Sequence, residues 1–171
     1  MPVRRSRPAL NLTVSVMNSV DGPTAKVVFR VVGKDGDVNV ETLWAFDLGD
    51  DRYRLDNSPF YAYSVSAGDV VLAPIDPDER RPTFASVVEK SGNRTVRVLL
   101  DTPLESGNAS DALLQGLVAL GCEFEGANRR YIAINIPPAV ELATVRDYLV
   151  DNALTWEHAD PSYSELYPDG T

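Results

Sequence analysis

The chain has 171 residues, of which 44 % are hydrophobic and 24 % charged, enough apolar material to bury the core of one domain or two small ones. Its 25 acidic and 16 basic side chains give a net charge of −9, which disfavours binding to the phosphates of nucleic acids. The sequence contains neither a run of roughly 20 apolar residues that would span a membrane nor the apolar region of a signal peptide. We therefore expect a cytoplasmic protein that has no membrane partner.

The charge is distributed unevenly along the chain. The first 20 residues carry three arginines and no acid, whereas all 25 acidic side chains follow them. We interpret residues 1–23 as a basic tail with room for one short strand at Leu10–Met17. We interpret residues 161–171 as an acidic, frayed tail.

Residues 24–92 have the pattern of an all-β unit. β-branched or alternating stretches are separated by turn residues, and no helical period occurs, which is typical of a small β-barrel or rolled sheet. The Asp-Gly pair at Asp35-Gly36 predicts a tight hairpin turn, because such turns require positive φ angles. The expected strands are Lys26–Val32, Val38–Leu48, Arg52–Leu55, Phe60–Val65, Val70–Ile75 and Thr83–Lys90.

Residues 93–160 alternate between strand and helix patterns. We expect helices at 109–120, capped by Ser110, and at 138–151, opened by Pro137-Pro138. The expected strands are Thr95–Leu100, Cys122–Glu125, Tyr131–Ile136 and Leu154–His158. The resulting β-α-β-β-α-β order is that of a ferredoxin-like sandwich. The predicted fold class is α+β, with the N-terminal barrel or rolled sheet packed against this sandwich.

The alternation within these strands also predicts which residues share a face of the second sheet. One face is expected to carry Glu123, Glu125 and Glu157, and the other Ile132, Ile134 and Trp156. Three glutamates on an open face are a poor platform for a polyanion. They fit a cationic protein partner, or a face covered by the first unit.

The chain offers little for nucleophilic, metal or cofactor chemistry. Cys122 and His158 are its only cysteine and histidine, so we expect a buried thiol and a strand-end imidazole near the surface. A zinc site with four Cys or His ligands has too few candidates, and no glycine-rich phosphate loop occurs. We therefore predict no cofactor. Asp56, Asn57 and Asp69 are the candidates for a carboxylate-dependent hydrolase, which is the least favoured alternative.

One extended motif resembles a known bacterial family. It reads Trp44-Ala45-x-x-Leu48-Gly49-x-x-x-Tyr53-x-Leu55-Asp56-Asn57-x-Pro59-Phe60, and Gly68-Asp69-Val70-Val71 and Ser91-Gly92-x-x-Thr95-Val96-Arg97 follow it. The resemblance covers roughly residues 25–158 and is to a domain of unknown function. It therefore implies no catalytic residue.

The densest functional signal is the mixture of aromatic and acidic residues between Trp44 and Asp69, a composition used by protein interfaces. We predict a small acidic protein-binding module of the immunity or antitoxin type, which masks the basic surface of another protein. A regulatory module that senses a small molecule held between the two units is the alternative. The predicted partner-binding residues are Asp50, Asp51, Tyr61, Tyr63, Glu123, Glu125 and Glu157.

Overall fold

The structure is a computed structural model and describes residues 22–153 and 155–170. Within these residues the chain is mostly antiparallel sheet with few helices, so the α+β class is confirmed. The predicted strand at Leu10–Met17 and most of the basic tail lie outside the described residues, as does Leu154.

The first sheet has five strands in the order β1-β2-β3-β4-β7. These strands are β1 (Ala25–Val32), β2 (Val38–Gly49), β3 (Arg52–Leu55), β4 (Val70–Leu72) and β7 (Ser86–Glu89). A separate hairpin joins β5 (Ile75–Asp76) to β6 (Arg81–Pro82). The β1–β2 turn contains Gly36 at a φ of 82°, as the Asp-Gly pair predicts. The sheet is open because β1 and β7 do not pair, so the expectation of a closed barrel is wrong.

The predicted strand Phe60–Val65 is also wrong. Residues 56–69 form an extended loop without strand pairing, which we call the bridging loop. The backbone N–H groups of Phe60, Tyr61 and Ala62 donate to the carboxylate of Glu41 instead of to a neighbouring strand. Because a side chain takes the donors that a sheet would use, the aromatic alternation in this segment does not produce a strand.

The second sheet has four strands in the order β11-β8-β10-β9, all antiparallel. They are β8 (Arg94–Leu99), β9 (Glu123–Gly126), β10 (Tyr131–Ile136) and β11 (Thr155–Asp160). Asn135 lies opposite Glu123, and Ile134 lies opposite Phe124. The predicted register is confirmed, because opposite residues of an antiparallel pair share a face.

The helices are α1 (Ala109–Ala119), α2 (Leu142–Asn152) and α3 (Tyr163–Leu166), and three details of their prediction are wrong. Asn108 caps α1 in place of Ser110, because its side chain accepts the N–H of Asp111 at 2.9 Å. The proline pair does not open α2, since Pro137 closes a turn in which its carbonyl accepts the N–H of Val140.

The third error concerns the end of the chain, where a frayed tail was expected. The short helix α3 forms there because Ser162 and Glu165 make a reciprocal capping box. The Ser64 hydroxyl of the bridging loop also donates to Glu165, at 3.0 Å. These hydrogen bonds, together with the ring contact between Tyr163 and Tyr167, order this segment.

Each sheet has its own apolar core. The first is built from the inward residues of β1, β2 and β3, with Phe29 stacked on Phe84 at 4.7 Å. The second core lies between the four-stranded sheet and helices α1 and α2, where Ile132, Ile134 and Ile136 are almost inaccessible. The opposite face of the second sheet is polar, and the bridging loop lies on it.

Candidate functional site

Glu41 anchors the start of the bridging loop. Its side chain lies on the inward face of β2, in phase with Leu43 and Ala45, and the residue is 6 % exposed. Its two carboxylate oxygens accept the three N–H groups of residues 60–62 at 2.5 to 3.0 Å. Charge-assisted hydrogen bonds to backbone amides are among the strong ones, so this carboxylate fixes the position of the loop that carries Tyr61 and Tyr63.

A hydrogen-bond network, buried except for Lys90, fixes the other end of the loop, and we call it the polar joint. It consists of Ser66, Asp69, Lys90, Thr95 and Asp160. Lys90 Nζ donates to Asp69 at 2.8 Å and to Asp160 at 2.6 Å, and the Ser66 hydroxyl contacts both Asp160 and Thr95. Burial alone would lower the pKa of Lys90, but the two carboxylates outweigh that effect and raise it.

Asp69 is the most completely satisfied member of the polar joint. One carboxylate oxygen accepts the N–H of Ser66 and the other accepts the N–H and hydroxyl of Ser91. Gly68 allows this close approach, since it has a φ of 83° and a Cβ there would lie 3.0 Å from the side chain of Ser91. The carboxylate therefore fixes Ser66, Lys90 and Ser91 relative to one another, and Ser66 and Lys90 in turn contact Asp160 of the second unit.

Arg97 supports the centre of the bridging loop from below. It is 1 % exposed, and its guanidinium donates to the carbonyl of Ala62 at 3.0 Å and to Glu157 at 2.9 Å. The same guanidinium lies 4.4 Å from the ring centre of Tyr63. Such a contact with a buried cation favours one ring orientation.

Above Arg97 lies an exposed surface that we call the tyrosine patch, formed by Tyr61, Tyr63, Leu99, Tyr131 and Glu157. Tyr61 and Tyr63 are about half exposed, as is Leu99. Tyr61 and Tyr131 have ring centres 5.9 Å apart, and the Tyr63 hydroxyl donates to Glu157 at 2.7 Å. Burial and the contact with Glu157 raise the pKa of Tyr63, and burial raises the pKa of Tyr131 to about 12, so both phenols are neutral hydrogen-bond donors.

Five of the seven predicted partner-binding residues are thus on one side of the molecule. Glu123 and Glu125 lie on edge strand β9, and Glu157 lies on the opposite edge strand β11, with the bridging loop between them. Glu125 also accepts the N–H of Ser58 at 3.4 Å. Asp50 and Asp51 lie apart, at the opposite end of β3 from the bridging loop. Both have positive φ angles in the β2–β3 turn.

Two of the three residues considered for hydrolysis, Asn57 and Asp69, make structural hydrogen bonds. Asn57 accepts the N–H of Trp44 at 2.8 Å, as a structural turn residue does. The carboxylate of Asp69 accepts hydrogen bonds from Ser66, Lys90 and Ser91 within the polar joint. Cys122 is buried, and burial raises its pKa to about 11, so it remains a thiol. Among the described residues no three His, Cys, Asp or Glu side chains are arranged to hold a metal ion.

His158 differs from its expected position near the surface. It lies on the helix-covered face of β11, is 7 % exposed, and its Nδ1 is buried without a hydrogen-bond partner. Burial lowers its pKa, with a smaller contribution from the charge of Arg146. The imidazole lines a cavity of about 1000 Å³ beside β11.

Sequence reasoning missed Glu41, Arg97 and Lys90. A usable signal existed for Glu41, because a glutamate at an inward position of an alternating strand needs buried partners. The alternation of the predicted strand Thr95–Leu100 separates Arg97 from Val96 and Val98, but the burial of Arg97 depends on the bridging loop, which the sequence pattern assigned to a strand. Lys90 was expected at the end of a strand, and its two carboxylate partners come from positions 21 and 70 residues away.

Taken together, the fold and these contacts define an α+β protein of two antiparallel sheets joined by a hydrogen-bonded loop with a tyrosine-rich surface. Residues 41–158 match the family described as Domain of unknown function (DUF4265), and the chain belongs to that family. The matched segment begins at the loop anchor Glu41 and ends at His158, so it includes elements of both sheets.

The chain is also similar to a solved structure, a hypothetical protein from Neisseria gonorrhoeae, with a TM-score of 0.68 and 17 % sequence identity. The alignment covers 82 % of this chain and 96 % of the other, which supports a shared fold. No curated protein matches the sequence. In residues 22–153 and 155–170, no helix combines the length and the apolarity needed to cross a membrane.

Proposed function

We propose that this protein is a cytoplasmic protein-binding module of the immunity or antitoxin type, and that its tyrosine patch docks on a basic surface of the partner. The observation that carries the proposal is the pair of half-exposed rings, Tyr61 and Tyr63, held in place from beneath. Glu41 and Arg97 fix the loop that carries them. Rigid exposed tyrosines provide large contact areas at a small cost in conformational entropy, which is why they are enriched at interfaces.

The charge around the tyrosine patch favours a partner rich in lysine and arginine. Glu123, Glu125 and Glu157 flank the rings on both edges of the sheet, and the nearest cation, Arg97, is buried. Lysine or arginine side chains of the partner would stack on the tyrosine rings and contact the glutamates at the rim. The chain's net charge of −9 would add long-range attraction that speeds the encounter.

We also propose that the second unit is a ferredoxin-like sandwich that serves as the scaffold for this interface. The element order β8-α1-β9-β10-α2-β11 and the strand order β11-β8-β10-β9 support that arrangement. In a ferredoxin-like arrangement, helices α1 and α2 cover one face of the sheet, and the other face is available to the bridging loop.

The first experiment identifies the partner by site-specific cross-linking. A photoreactive phenylalanine analogue replaces Tyr61 in one sample and Trp44 in the control, and each protein is irradiated in a lysate of the native host. Trp44 is a suitable control because it is similarly exposed but belongs to the first sheet. A basic protein linked at position 61 and not at position 44 is the expected result. Equal yields at both positions would contradict the proposal.

The second experiment measures binding to that purified partner by surface plasmon resonance. Tyr61→Ala should raise the dissociation rate by about 10- to 100-fold, which corresponds to a hot-spot loss of about 1–3 kcal/mol. The combined changes Glu123→Gln and Glu125→Gln should instead lower the association rate, and this effect should shrink as salt increases. An association rate that responds neither to these changes nor to salt would refute electrostatic docking.

Asp50 and Asp51 provide the matched charge control for that measurement. The combined changes Asp50→Asn and Asp51→Asn also remove two negative charges, but at a site far from the tyrosine patch. Asparagine tolerates the positive φ angles of this turn. Their effect on the association rate should be smaller than that of the Glu123 and Glu125 changes. An equal or larger effect would move the interface to the β2–β3 turn.

A further inference from the structure

The cavity beside edge strand β11 has the dimensions of a small-molecule site. Its volume is about 1000 Å³, at the upper end of the range of about 300–1,000 Å³ found for ligand pockets. Its walls come from four parts of the fold, namely the bridging loop, α2, β11 and α3. A cavity at such a meeting point can recognise a ligand from several directions.

Aromatic rings dominate the walls of this cavity. Trp156 comes from β11, Tyr163 and Tyr167 from the C-terminal helix and its end, and Tyr63 from the bridging loop. The rings of Tyr163 and Tyr167 lie 4.8 Å apart, and Tyr163 is 56 % exposed although it is aromatic. Ring faces of this kind favour a flat aromatic ligand, because offset stacking and edge contacts add to the burial of apolar surface.

His158 gives the cavity a polar group without a partner. The residue is 7 % exposed, and its Nδ1 has no hydrogen-bond partner and almost no contact with solvent. The imidazole and the Trp156 ring make an edge-to-face contact, with ring centres 4.9 Å apart, and this contact restrains the imidazole. Because Nδ1 itself is buried, a ligand in the cavity would contact other atoms of the imidazole ring, and the ring would report that contact.

Arg146 is the group in the cavity lining that can receive an anionic part of a ligand. Glu157 also lines the cavity, where it accepts hydrogen bonds from Arg97 and from the Tyr63 hydroxyl, so we place the anionic group at Arg146, away from Glu157. Arg146 pairs with Asp147 at 2.8 Å, but the two side chains are 42 % and 67 % exposed. A surface ion pair of this kind contributes little free energy, so a carboxylate can replace Asp147 as the guanidinium's partner.

We propose that the cavity binds flat aromatic carboxylates, with the ring between Trp156 and Tyr163 and the carboxylate on Arg146. The cavity shares Tyr63 and Glu157 with the tyrosine patch, but the three proposed contact residues lie outside the patch, so the proposal does not depend on the docking function. Ligand binding would fill the cavity between α3 and β11.

The test is an NMR titration with 1-naphthoate as the probe. The protein has one histidine and two tryptophans, so the imidazole and the two indole N–H signals are easily followed in the full chain. Trp156 lines the cavity, whereas Trp44 lies under the ammonium of Lys26 on the first sheet and serves as the internal control. The signals are assigned with the variant Trp44→Phe. We expect saturable shifts of the His158 and Trp156 signals and a constant Trp44 signal.

Two comparisons test the ligand chemistry. Cyclohexanecarboxylate, which lacks the flat ring, and 1-naphthamide, which lacks the charge, should each bind at least about tenfold more weakly than 1-naphthoate. Arg146→Met should weaken 1-naphthoate binding about tenfold, whereas the control Arg129→Met should leave it unchanged, because Arg129 pairs with Glu105 outside this cavity.

Several outcomes would overturn the proposal. These are equal shifts of the Trp44 and Trp156 signals, equal binding of the three probes, an affinity unaffected by Arg146→Met, or no saturation below about 10 mM 1-naphthoate. Both variants are checked by their NMR spectra without ligand, so a loss of binding through unfolding is recognised directly.

Discussion

The four-stranded sheet has two faces that are both buried but are covered in different ways. One face is apolar and lies under helices α1 and α2, where Val98 and Ile134 are at most 1 % exposed. The other is polar and lies under the bridging loop, where Thr95 and Arg97 are equally inaccessible. Neighbouring residues of the same strand therefore meet opposite chemical environments.

The difference between the faces predicts how each tolerates change. The helix-covered face is stabilised by non-directional burial, so it should accept substitutions that preserve apolar volume. The loop-covered face is stabilised by hydrogen bonds with fixed partners, so removing one partner leaves another buried and unsatisfied. The predictions below break or sharpen this comparison, beginning with the largest expected effect.

Asp69→Ala should be the most damaging of these changes. The carboxylate is inaccessible and accepts hydrogen bonds from Ser66, Ser91 and Lys90. Its removal therefore leaves several hydrogen-bond donors without their acceptor. We expect the free energy of unfolding to fall by about 2–4 kcal/mol, because several hydrogen bonds to a buried charged group are lost together. Urea denaturation followed by tryptophan fluorescence measures the loss.

Lys90→Met is the matched control for the same contact. The side chain of Lys90 is 46 % exposed, so its carboxylate partners retain their other donors and gain some access to water. Its removal should cost clearly less than that of Asp69. If the two variants lost equal stability, the buried carboxylate would not be the centre of the polar joint.

Exchange of a methyl and a hydroxyl group on β8 tests the two faces at nearly constant volume. Val98→Thr places a hydroxyl in the apolar core and should cost about 1–3 kcal/mol. Thr95→Val removes one hydrogen bond to Ser66, whose hydroxyl keeps its bond to Asp160, so it should cost about 0.5–1.5 kcal/mol. Urea midpoints in the reverse order would contradict this expectation, because they would show that the loss of the Thr95–Ser66 hydrogen bond costs more than an unpaired hydroxyl in the apolar core.

The same contrast explains how much of the structure could be predicted from the sequence. The apolar face was predictable because Ile132, Ile134 and Ile136 alternate strictly, and that period fixes both the strand and its face. The bridging loop was not, because the aromatic alternation of Phe60 to Val65 is the local pattern of a strand. What overrides it is the Glu41 carboxylate, a contact across about 20 positions that no local period encodes.

The candidate site shows the same limit. Tyr61, Tyr63 and Glu157 were identified by composition and strand phase, which are local properties. The sequence did not predict that Asp50 and Asp51 lie apart from them, since the distance between a turn and a sheet face depends on how the two units pack. The cavity beside β11 likewise requires α3, a short segment whose order depends on a capping box and on the contact with Ser64, about 100 residues away in the sequence.

The smallest expected effect concerns His158, a polar residue on the helix-covered face. Burial lowers its pKa in the folded state, so below pH 7 the unfolded chain binds a proton more readily than the folded chain. Stability should therefore decrease as the pH falls through about 6.5, the ordinary histidine value, and the decrease should end below the folded-state pKa.

His158→Gln tests this link between burial and pH, because it removes the chain's only histidine and with it the one side chain whose ordinary pKa lies in this range. The melting temperature of the original protein should fall between pH 7.5 and pH 5.5 by more than that of the variant. The titration of Asp and Glu side chains does not interfere, because carboxylates of ordinary pKa remain charged above about pH 5. If both proteins lost stability in parallel, the imidazole would be accessible to protons in the folded state, and the chemical distinction between the two faces would not extend to the edge strand β11.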